Sequence, residues 1–316
     1  MNNICFLILH YNTINDTKKC VESIKKIKTT YCKKIVIVDN GSQNNTGKLL
    51  QNTYKDDESI DILINEKNLG FSRGNNIGYK FCKYNYNPKY IIVTNNDVIF
   101  KQKNMLTKLD EIYKRTKFHV YGPDIFSAKK YWHQSPHKLN YFNSKTTIKY
   151  LNELKSDLEF YKNGKLTLND EEKLNNTLEK HQNLYKIIKN LMLMLNLNNN
   201  NNYKCSQENI VLHGACIIFS NLFIDKFDKA FEPETFLYWE EDLLLLKCLK
   251  NNLKVIYDPS IQVLHMEEAS TKNDHNNEVK KMLFKTTELI KSGNTYLEEV
   301  TKLENSKYEK ESIINT

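Results

Sequence analysis

Short apolar runs rich in β-branched residues recur in the N-terminal part of the chain. Residues 4–9 (ICFLIL), 35–38 (IVIV) and 91–93 (IIV) form three such runs, and each leads into polar residues. This pattern is typical of buried strands in a parallel sheet. Apolar side chains between the first two runs recur at a spacing of three, as on an amphipathic helix: Val21, Ile24 and Ile27. The chain is therefore predicted to begin with a right-handed β-α-β unit.

Ligands of such sheets bind beyond the carboxyl ends of the strands, so the polar residues after each run are candidates for chemistry. Asp39 follows IVIV and either accepts hydrogen bonds from a base or ribose or acts as a turn and capping residue. Asp97 follows the third run, where a metal bridging a diphosphate would lie, because Mg²⁺ uses one or two carboxylates plus substrate phosphates. A plain turn residue is the alternative.

Three other stretches carry candidate chemistry, each with a structural alternative. Residues 67–78 (KNLGFSRGNNIG) space three glycines four apart, which favours either close approach of the backbone to a ligand or tight helix packing. Residues 240–242 (EED) open a predicted helix, where carboxylates either complement the helix dipole or accept a proton. His265 ends the apolar run 261–264 and is either a packing residue or a metal ligand beside Asp97.

The middle of the chain differs in composition from the rest. Residues 129–208 are rich in Lys, Asn, Leu and Tyr, which predicts helices followed by a flexible connector. Apolar spacing beyond residue 272 predicts more helix. We therefore expect a catalytic domain over residues 1–271, with a helical, Asn-rich insert at 129–208, and a helical tail over 272–316.

The net charge and the cysteines indicate the kind of partner and the cellular compartment. Lys and Arg total 46 against 38 Asp and Glu, and the net charge of +8 favours an anionic partner such as a nucleotide, a diphosphate or an acidic membrane surface. The seven cysteines are widely spaced without a C-x-x-C pair, which favours a reducing compartment. The first apolar run is too short for a signal peptide, and no run approaches a spanning helix, so a cytoplasmic protein is expected.

One segment of the insert has a membrane-binding interpretation. Residues 185–197 (YKIIKNLMLMLNL) are the most apolar part of the insert and are flanked by Lys. Core packing explains this pattern, and so does a helix on the surface of an anionic membrane. The second interpretation would bring the protein to the inner face of the cell membrane, where a lipid-linked acceptor could wait.

Taken in order, these motifs resemble those of the family 2 glycosyltransferases, in particular the rhamnosyltransferase-like members that build bacterial surface polysaccharides. The resemblance covers about residues 4–270 and leaves the insert unmatched. It implies an α/β fold of the GT-A type, a Rossmann-like mixed sheet flanked by helices, with the insert and the tail added to it.

The resemblance assigns a donor site and a metal site. A Tyr-Asn pair after the first strand, a VDNGS strand end, a glycine-rich loop and an Asn-Asn-Asp motif imply these donor-nucleotide residues: Tyr11, Asn12, Asp39, Gly41, Gly70, Phe71, Arg73, Asn75, Asn76, Asn95 and Asn96. The family's His-x4-Ser pattern, here His265 with Ser270, implies that His265 and Asp97 hold Mg²⁺ or Mn²⁺.

The resemblance also assigns an acceptor site and a base. Gly214 and Ala215 match a segment behind the acceptor. The aromatic residue Trp239, next to Glu240, is expected either to form a platform for the acceptor sugar, with Glu240 beside it, or to be a core residue. The family's E-D pair aligns with Glu240 and Glu241, which makes Glu241 the catalytic base, whereas a slip of one residue would make it Asp242. Neighbouring helical residues point about 100° apart, so the two cannot both face one hydroxyl.

The implied reaction is the inverting, metal-dependent transfer of a sugar from a UDP-, dTDP- or GDP-linked donor to a hydroxyl of a glycan or lipid-linked acceptor, with no nucleic-acid partner. Two alternatives stay open. A sugar-1-phosphate nucleotidyltransferase would need a glycine-rich, basic loop directly after the first strand, where HYNTIND stands. An inactive nucleotide-sugar-binding module is suggested by Asn95 and Leu243, which replace two acids of the family motifs.

Overall fold

The computed structural model describes residues 3–163, 201–267 and 278–314. In these ranges the chain forms ten strands and eight α-helices. The strands are β1 (Asn3–His10), β2 (Cys32–Asp39), β3 (Ile60–Ile64), β4 (Tyr90–Asn95), β5 (Val98–Ile99), β6 (Val120–Ser127), β7 (Trp132–His133), β8 (Gln207–Glu208), β9 (Cys216–Ser220) and β10 (Val255–His265). The helices are α1 (Ile14–Lys25), α2 (Thr46–Tyr54), α3 (Gly70–Tyr86), α4 (Met105–Thr116), α5 (Ser144–Asn163), α6 (Asn221–Ile224), α7 (Glu240–Lys250) and α8 (Glu278–Ile314).

The described strands form one mixed sheet, in which eight follow the order β3-β2-β1-β4-β9-β6-β10-β5. The first four are parallel, and β1, β2 and β4 correspond to the three apolar runs at the start of the chain. β9 is antiparallel to both β4 and β6, and β5 is antiparallel to β10. β7 pairs with β6, and β8 pairs with β10. The predicted α/β class with a mixed sheet is confirmed.

Helices cover both faces of the sheet, as the continuous apolar strands require. Successive residues of a strand point to opposite faces, so a strand that is apolar at every position needs a helix on each side. Phe6 packs in one cluster with Ile24 of α1, and Leu7 packs in the opposite cluster with Tyr79 of α3. Gly78 permits this close packing, since a Cβ there would lie 2.1 Å from a methyl carbon of Leu7. The strand ends remain available for ligands.

The first helix of the insert and the helix of the tail pack together beside α7. α5 lies against α8, and α8 also contacts α7. Trp239, just before α7, stacks on Tyr296 of α8 with ring centroids 4.6 Å apart. Residues 164–200, which include the segment 185–197, lie outside the described residues, so the membrane interpretation and the proposed domain limits stay predictions. Among the helices that the structure describes, none combines the length and the apolar character needed to cross a bilayer.

Candidate active site

The candidate active site lies at the carboxyl ends of β1, β2 and β4. In the pairing of these strands, His10 is opposite Asp39, and Leu9 is opposite Asn95. The turns that follow the three strands therefore meet at one edge of the sheet, where ligands of open α/β sheets bind. The structure thus brings together the polar residues that the apolar runs lead into.

Asp39 is held in a fixed orientation in the turn after β2. Its buried side chain accepts hydrogen bonds from the hydroxyl and the backbone N–H of Ser42. The Ser42 hydroxyl oxygen accepts a hydrogen bond from the backbone N–H of Asn12 at 2.8 Å, and Asn12 has a left-handed backbone with φ of 62°. The turns after β1 and β2 are thereby joined around one carboxylate, which can accept hydrogen bonds from a base or a ribose.

His10 supports the same turns from inside the fold. Its Nδ1 lies 2.7 Å from the Thr17 hydroxyl, and its Nε2 lies 2.9 Å from the Thr46 hydroxyl. Burial lowers the pKa of His10 to about 4, although the charge of Asp39 acts in the opposite direction. A neutral imidazole with both nitrogens engaged has a structural role.

Asn40 connects the donor-side turn to the glycine-rich loop. Its amide Nδ2 donates hydrogen bonds to Asn68 Oδ1 and to the carbonyl of Gly70, each at 3.0 Å. Gly70 has a φ of +78°, and a Cβ there would lie 2.3 Å from the carbonyl oxygen of Phe236. The Phe71 N–H donates to that same carbonyl at 2.7 Å. Gly70 and Phe71 therefore fix the loop that leads into α7.

The other predicted donor residues on α3 face the loop before α7. Asn76 makes two hydrogen bonds to the backbone of Phe231, as a donor at 2.8 Å and as an acceptor at 3.0 Å. Arg73 is mostly exposed and pairs with Glu234 at 3.1 Å. Asn75 differs, because its buried Oδ1 has no hydrogen-bond partner within the described ranges. Contact of Arg73 and Asn76 with a donor stays a prediction.

The end of β4 is tied to its neighbours on both sides. The amide of Asn96 donates to the hydroxyls of Thr13 and Thr17 at 2.7 and 3.0 Å. The backbone N–H of Asn95 donates to the carbonyl of Ala215 at 3.0 Å. Asn96 therefore fixes the turn that contains Tyr11 and Asn12, and the backbone of Asn95 connects the end of β4 to the segment that contains Ala215.

Asp97 and His265 form a close pair. The Asp97 Oδ1 atom lies 3.3 Å from His265 Nε2. The pairing of β5 with β10 positions them, because it places His265 opposite Val98, and the Met266 N–H donates to the Asp97 carbonyl. His265 Nδ1 lies 2.8 Å from the side-chain oxygen of Gln134 and donates a hydrogen bond to it, so Nε2 is the nitrogen that faces Asp97.

These two residues fit a divalent metal. With ligand bonds of about 2.1 Å, adjacent ligand atoms of an octahedral ion lie about 3 Å apart, close to the 3.3 Å between Asp97 Oδ1 and His265 Nε2. A carboxylate oxygen suits Mg²⁺ or Mn²⁺, and a histidine nitrogen favours Mn²⁺ of the two. The hydrogen bond that His265 Nδ1 donates to Gln134 would orient the ring as a ligand. No cluster of three or more ligand side chains occurs in the described part of the chain, so donor phosphates and water would complete the coordination.

Three consecutive carboxylates open α7, and their surroundings differ. Glu241 Oε1 accepts a hydrogen bond from the Gly214 N–H at 3.0 Å. Both oxygens of buried Asp242 bind the Lys138 ammonium, at 2.8 and 2.9 Å. Glu240 is 5% exposed, and burial followed by the neighbouring Glu241 charge raises its pKa to about 8. Within the described ranges, Glu241 has no cation paired with it, so it is the carboxylate best able to accept a proton.

A cavity of about 520 Å³ lies in front of α7. The sheet side of its lining includes Asn95, His213, Gly214 and Ala215. The insert and the tail contribute Phe142, Tyr150 and Leu289. Trp239 also lines it, and the Lys138 ammonium lies 5.0 Å from the centre of the Trp239 ring. The mixture of polar and aromatic walls, with Glu241 at the edge, is suited to a sugar.

Three residues at the site were missed by the sequence analysis. Gln134 and Lys138 lie in the predicted insert, where composition alone showed no motif. His213 directly precedes Gly214 and lies edge-to-face against His265, with ring centroids 5.9 Å apart. Its position beside a motif residue was the one signal that pointed to it.

The sequence and the fold are similar to those of known glycosyltransferases. The family model described as glycosyl transferase family 2 matches residues 5–178, more than half of the chain. Glycosyltransferase GlyG of Streptococcus pneumoniae serotype 4 is 28% identical over 113 residues, which is 35% of this chain and 36% of that protein. The chain thus aligns with only about a third of this relative.

Crystal structures of S. aureus TarS have a similar fold. Its fragment 1–349 matches with a TM-score of 0.51 and 12% identity over 95% of this chain and 71% of that one. The longer TarS structure gives the same TM-score, with 13% identity over 90% of this chain and 39% of TarS. Because the family model covers more than half of the sequence and the mixed sheet agrees with the fold of TarS, the chain belongs to the family 2 glycosyltransferases of the GT-A fold.

Proposed function

We propose that this glycosyltransferase moves a sugar from a nucleoside-diphosphate donor to a hydroxyl of a glycan or lipid-linked acceptor, with inversion at the anomeric carbon, in the synthesis of a bacterial surface glycan. One observation carries the proposal: two consecutive residues connect the Asp97–His265 pair with Glu241. The His213 ring contacts His265, and the Gly214 N–H binds Glu241. A sugar beside these residues would lie between the leaving diphosphate and the attacking hydroxyl, as inversion requires.

In the proposed reaction, Glu241 accepts the proton of the acceptor hydroxyl as its oxygen attacks the anomeric carbon. The bond from that carbon to the diphosphate oxygen breaks, and the nucleoside diphosphate leaves with the bonding electrons. A metal held by Asp97 and His265 would supply Lewis-acid stabilisation of the negative charge on this leaving group. The backbone N–H of Gly214 fixes the position of the Glu241 carboxylate by a hydrogen bond from an uncharged donor, so this contact does not neutralise the base.

The surroundings of the other two carboxylates argue against a base role for them. A base must be ionised and must reach the hydroxyl in the cavity. Burial and the neighbouring Glu241 charge raise the pKa of Glu240, which favours its protonated form, and both oxygens of Asp242 face Lys138. Glu240 is better suited to a contact with the acceptor sugar than to proton abstraction.

The donor is proposed to bind with its base near Asp39 and its phosphates near Asp97. Crystal structures of TarS, which shares this fold, contain UDP and UDP-GlcNAc. This supports a nucleotide sugar as donor, with a UDP-, dTDP- or GDP-linked sugar as the class. Membership of the family speaks against the sugar-1-phosphate nucleotidyltransferase alternative.

A panel of nucleotide sugars tests the function. Thermal unfolding with UDP-, dTDP- and GDP-sugars, with and without Mn²⁺, should show stabilisation by one nucleotide class, since a ligand at a hundred times its Kd adds about 2.7 kcal/mol. Incubation with that donor should then release free sugar and nucleoside diphosphate. Exchange of pyrophosphate instead would support the nucleotidyltransferase alternative, and binding without any release would support an inactive binding module.

Contact with an anionic membrane is a further part of the proposal. The net charge of +8 and the apolar, Lys-flanked residues 185–197 support it. Flotation with anionic vesicles at low salt tests it, and a protein that stays unbound there would contradict it.

A further inference from the structure

The imidazole of His213 lies where the two halves of the proposed site meet. Its ring contacts the ring of His265 at 5.9 Å, and the N–H of the next residue, Gly214, holds Glu241. His213 lines the cavity together with Asn95 and Glu241. A sugar in transfer must lie within reach of both the metal pair and the base, so it would lie against His213.

A backbone contact fixes which nitrogen of His213 carries the proton. The Ala215 N–H donates a hydrogen bond to His213 Nδ1 at 3.1 Å. An N–H donor requires a lone pair on its partner, so Nδ1 is unprotonated and Nε2 carries the hydrogen. The hydrogen bond of the ring to the described residues uses Nδ1 and leaves Nε2 unused, and the His213 side chain lines the cavity. The ring therefore presents an unused N–H donor to whatever occupies the cavity.

An imidazole N–H is a single donor in a fixed direction, and it is suited to a neutral acceptor such as a hydroxyl oxygen.

We propose that His213 donates a hydrogen bond from Nε2 to a hydroxyl oxygen of the sugar that is transferred, and so selects donor sugars that carry a hydroxyl at that position. This inference rests on the proposed function, because it needs a nucleotide sugar in the cavity. A site built to bind a hydroxyl discriminates strongly against an analogue without it, since the donor group is then left unpaired.

Two substitutions separate the sugar contact from the backbone contact. His213→Asn places an amide oxygen near the position of Nδ1, which keeps an acceptor for the Ala215 N–H. The shorter side chain has no hydrogen-bond donor at the position of Nε2. His213→Gln extends one bond further and restores an N–H donor near the position of Nε2, at the cost of the Ala215 contact. Calorimetry with Mn²⁺ compares wild type and both variants, using the nucleotide sugar that the panel identifies and the matching nucleoside diphosphate.

We expect His213→Asn to bind the nucleotide sugar about tenfold more weakly and the nucleoside diphosphate within twofold of wild type, with His213→Gln closer to wild type for both. Equal losses for the two ligands, no loss for either, or a greater loss in His213→Gln than in His213→Asn would overturn the inference. A wild-type protein that binds no nucleotide sugar would refute the proposed function, and this inference with it.

The wild-type protein gives a second measurement that needs no variant. Its affinity for the donor is compared with its affinity for monodeoxy analogues of the donor sugar. One analogue should bind about tenfold more weakly than the donor. Equal affinity for the donor and for every monodeoxy analogue would overturn the inference even if the variants failed to fold.

Discussion

Replacing Gly214 with alanine should disable the proposed base without unfolding the protein. A Cβ at this position would lie 2.4 Å from Glu241 Oε1 and 3.1 Å from its carboxyl carbon. The backbone of Gly214 is not in the left-handed region, so alanine adopts it without strain. The clash is therefore confined to the end of one flexible side chain, which is the side chain assigned as the base.

The size of the effect follows from the distances. Ordinary van der Waals contact begins at about 3.4 Å, so the Glu241 oxygen must retreat by about 1 Å and lengthen its hydrogen bond to the Gly214 N–H. A displacement of about 1 Å in a reacting group can cost about 10²-fold in rate. We expect kcat to fall by about 10- to 100-fold, with the Kd for the donor within about twofold of wild type.

Steady-state kinetics of Gly214→Ala alone and in the Glu241→Gln background measure this effect. If Gly214 acts through Glu241, the alanine should have little further effect once the carboxylate is gone. An unchanged kcat in the single variant, or the same loss in both backgrounds, would refute the reasoning.

Three further predictions concern the donor turn, the metal pair and Glu240. Gly47→Ala would place a Cβ 2.0 Å from Asp39 Oδ2, so we expect calorimetry to show about tenfold weaker binding of nucleoside diphosphate; unchanged binding would contradict the role of Asp39. Asp97→Ala and His265→Ala should each weaken Mn²⁺-dependent nucleotide binding without changing the thermal unfolding temperature. An unaltered metal-dependent affinity in both variants would refute the proposed metal site. The raised pKa of Glu240, about 8, means that the folded state keeps a proton that the unfolded chain loses near pH 4.5, so this group lowers stability as pH rises from about 4.5 to 8. Glu240→Gln should therefore gain stability over wild type, by on the order of a few kcal/mol at pH 8 and much less at pH 5, in unfolding curves measured at both values.

The sequence predicted those parts of the fold that depend on local pattern. The continuous apolar runs predicted β1, β2 and β4, because a strand that is buried on both faces is apolar at successive positions and is therefore easily recognised in the sequence. Val21 and Ile24 predicted the core-facing side of α1, and both are buried. The polar residues at the strand ends were found by the same reasoning, since parallel strands bring their carboxyl ends together.

The contacts that assemble the candidate site depend on pairing between segments far apart in the sequence, which a local sequence pattern does not show. Asp97 and His265 meet because β5 pairs with β10, which joins segments far apart in the sequence. Lys138 reaches Asp242 only because the insert folds back over α7. The glycine-rich residues 67–78 had two interpretations, and each is correct for a different glycine. Gly78 allows α3 to pack closely against Leu7, whereas Gly70 allows the close approach of the loop at the site.

The most direct test of the central claim compares turnover in Glu241→Gln and Asp242→Asn. Glu241→Gln keeps the shape of the side chain and an acceptor for the Gly214 N–H but removes the basic site. Its kcat should fall by about 10² to 10⁴, with donor affinity unchanged, while Asp242→Asn keeps measurable turnover. If Asp242→Asn abolishes turnover and Glu241→Gln does not, the base is Asp242; if neither lowers kcat, the acidic residues only begin α7 and the proposed mechanism is wrong.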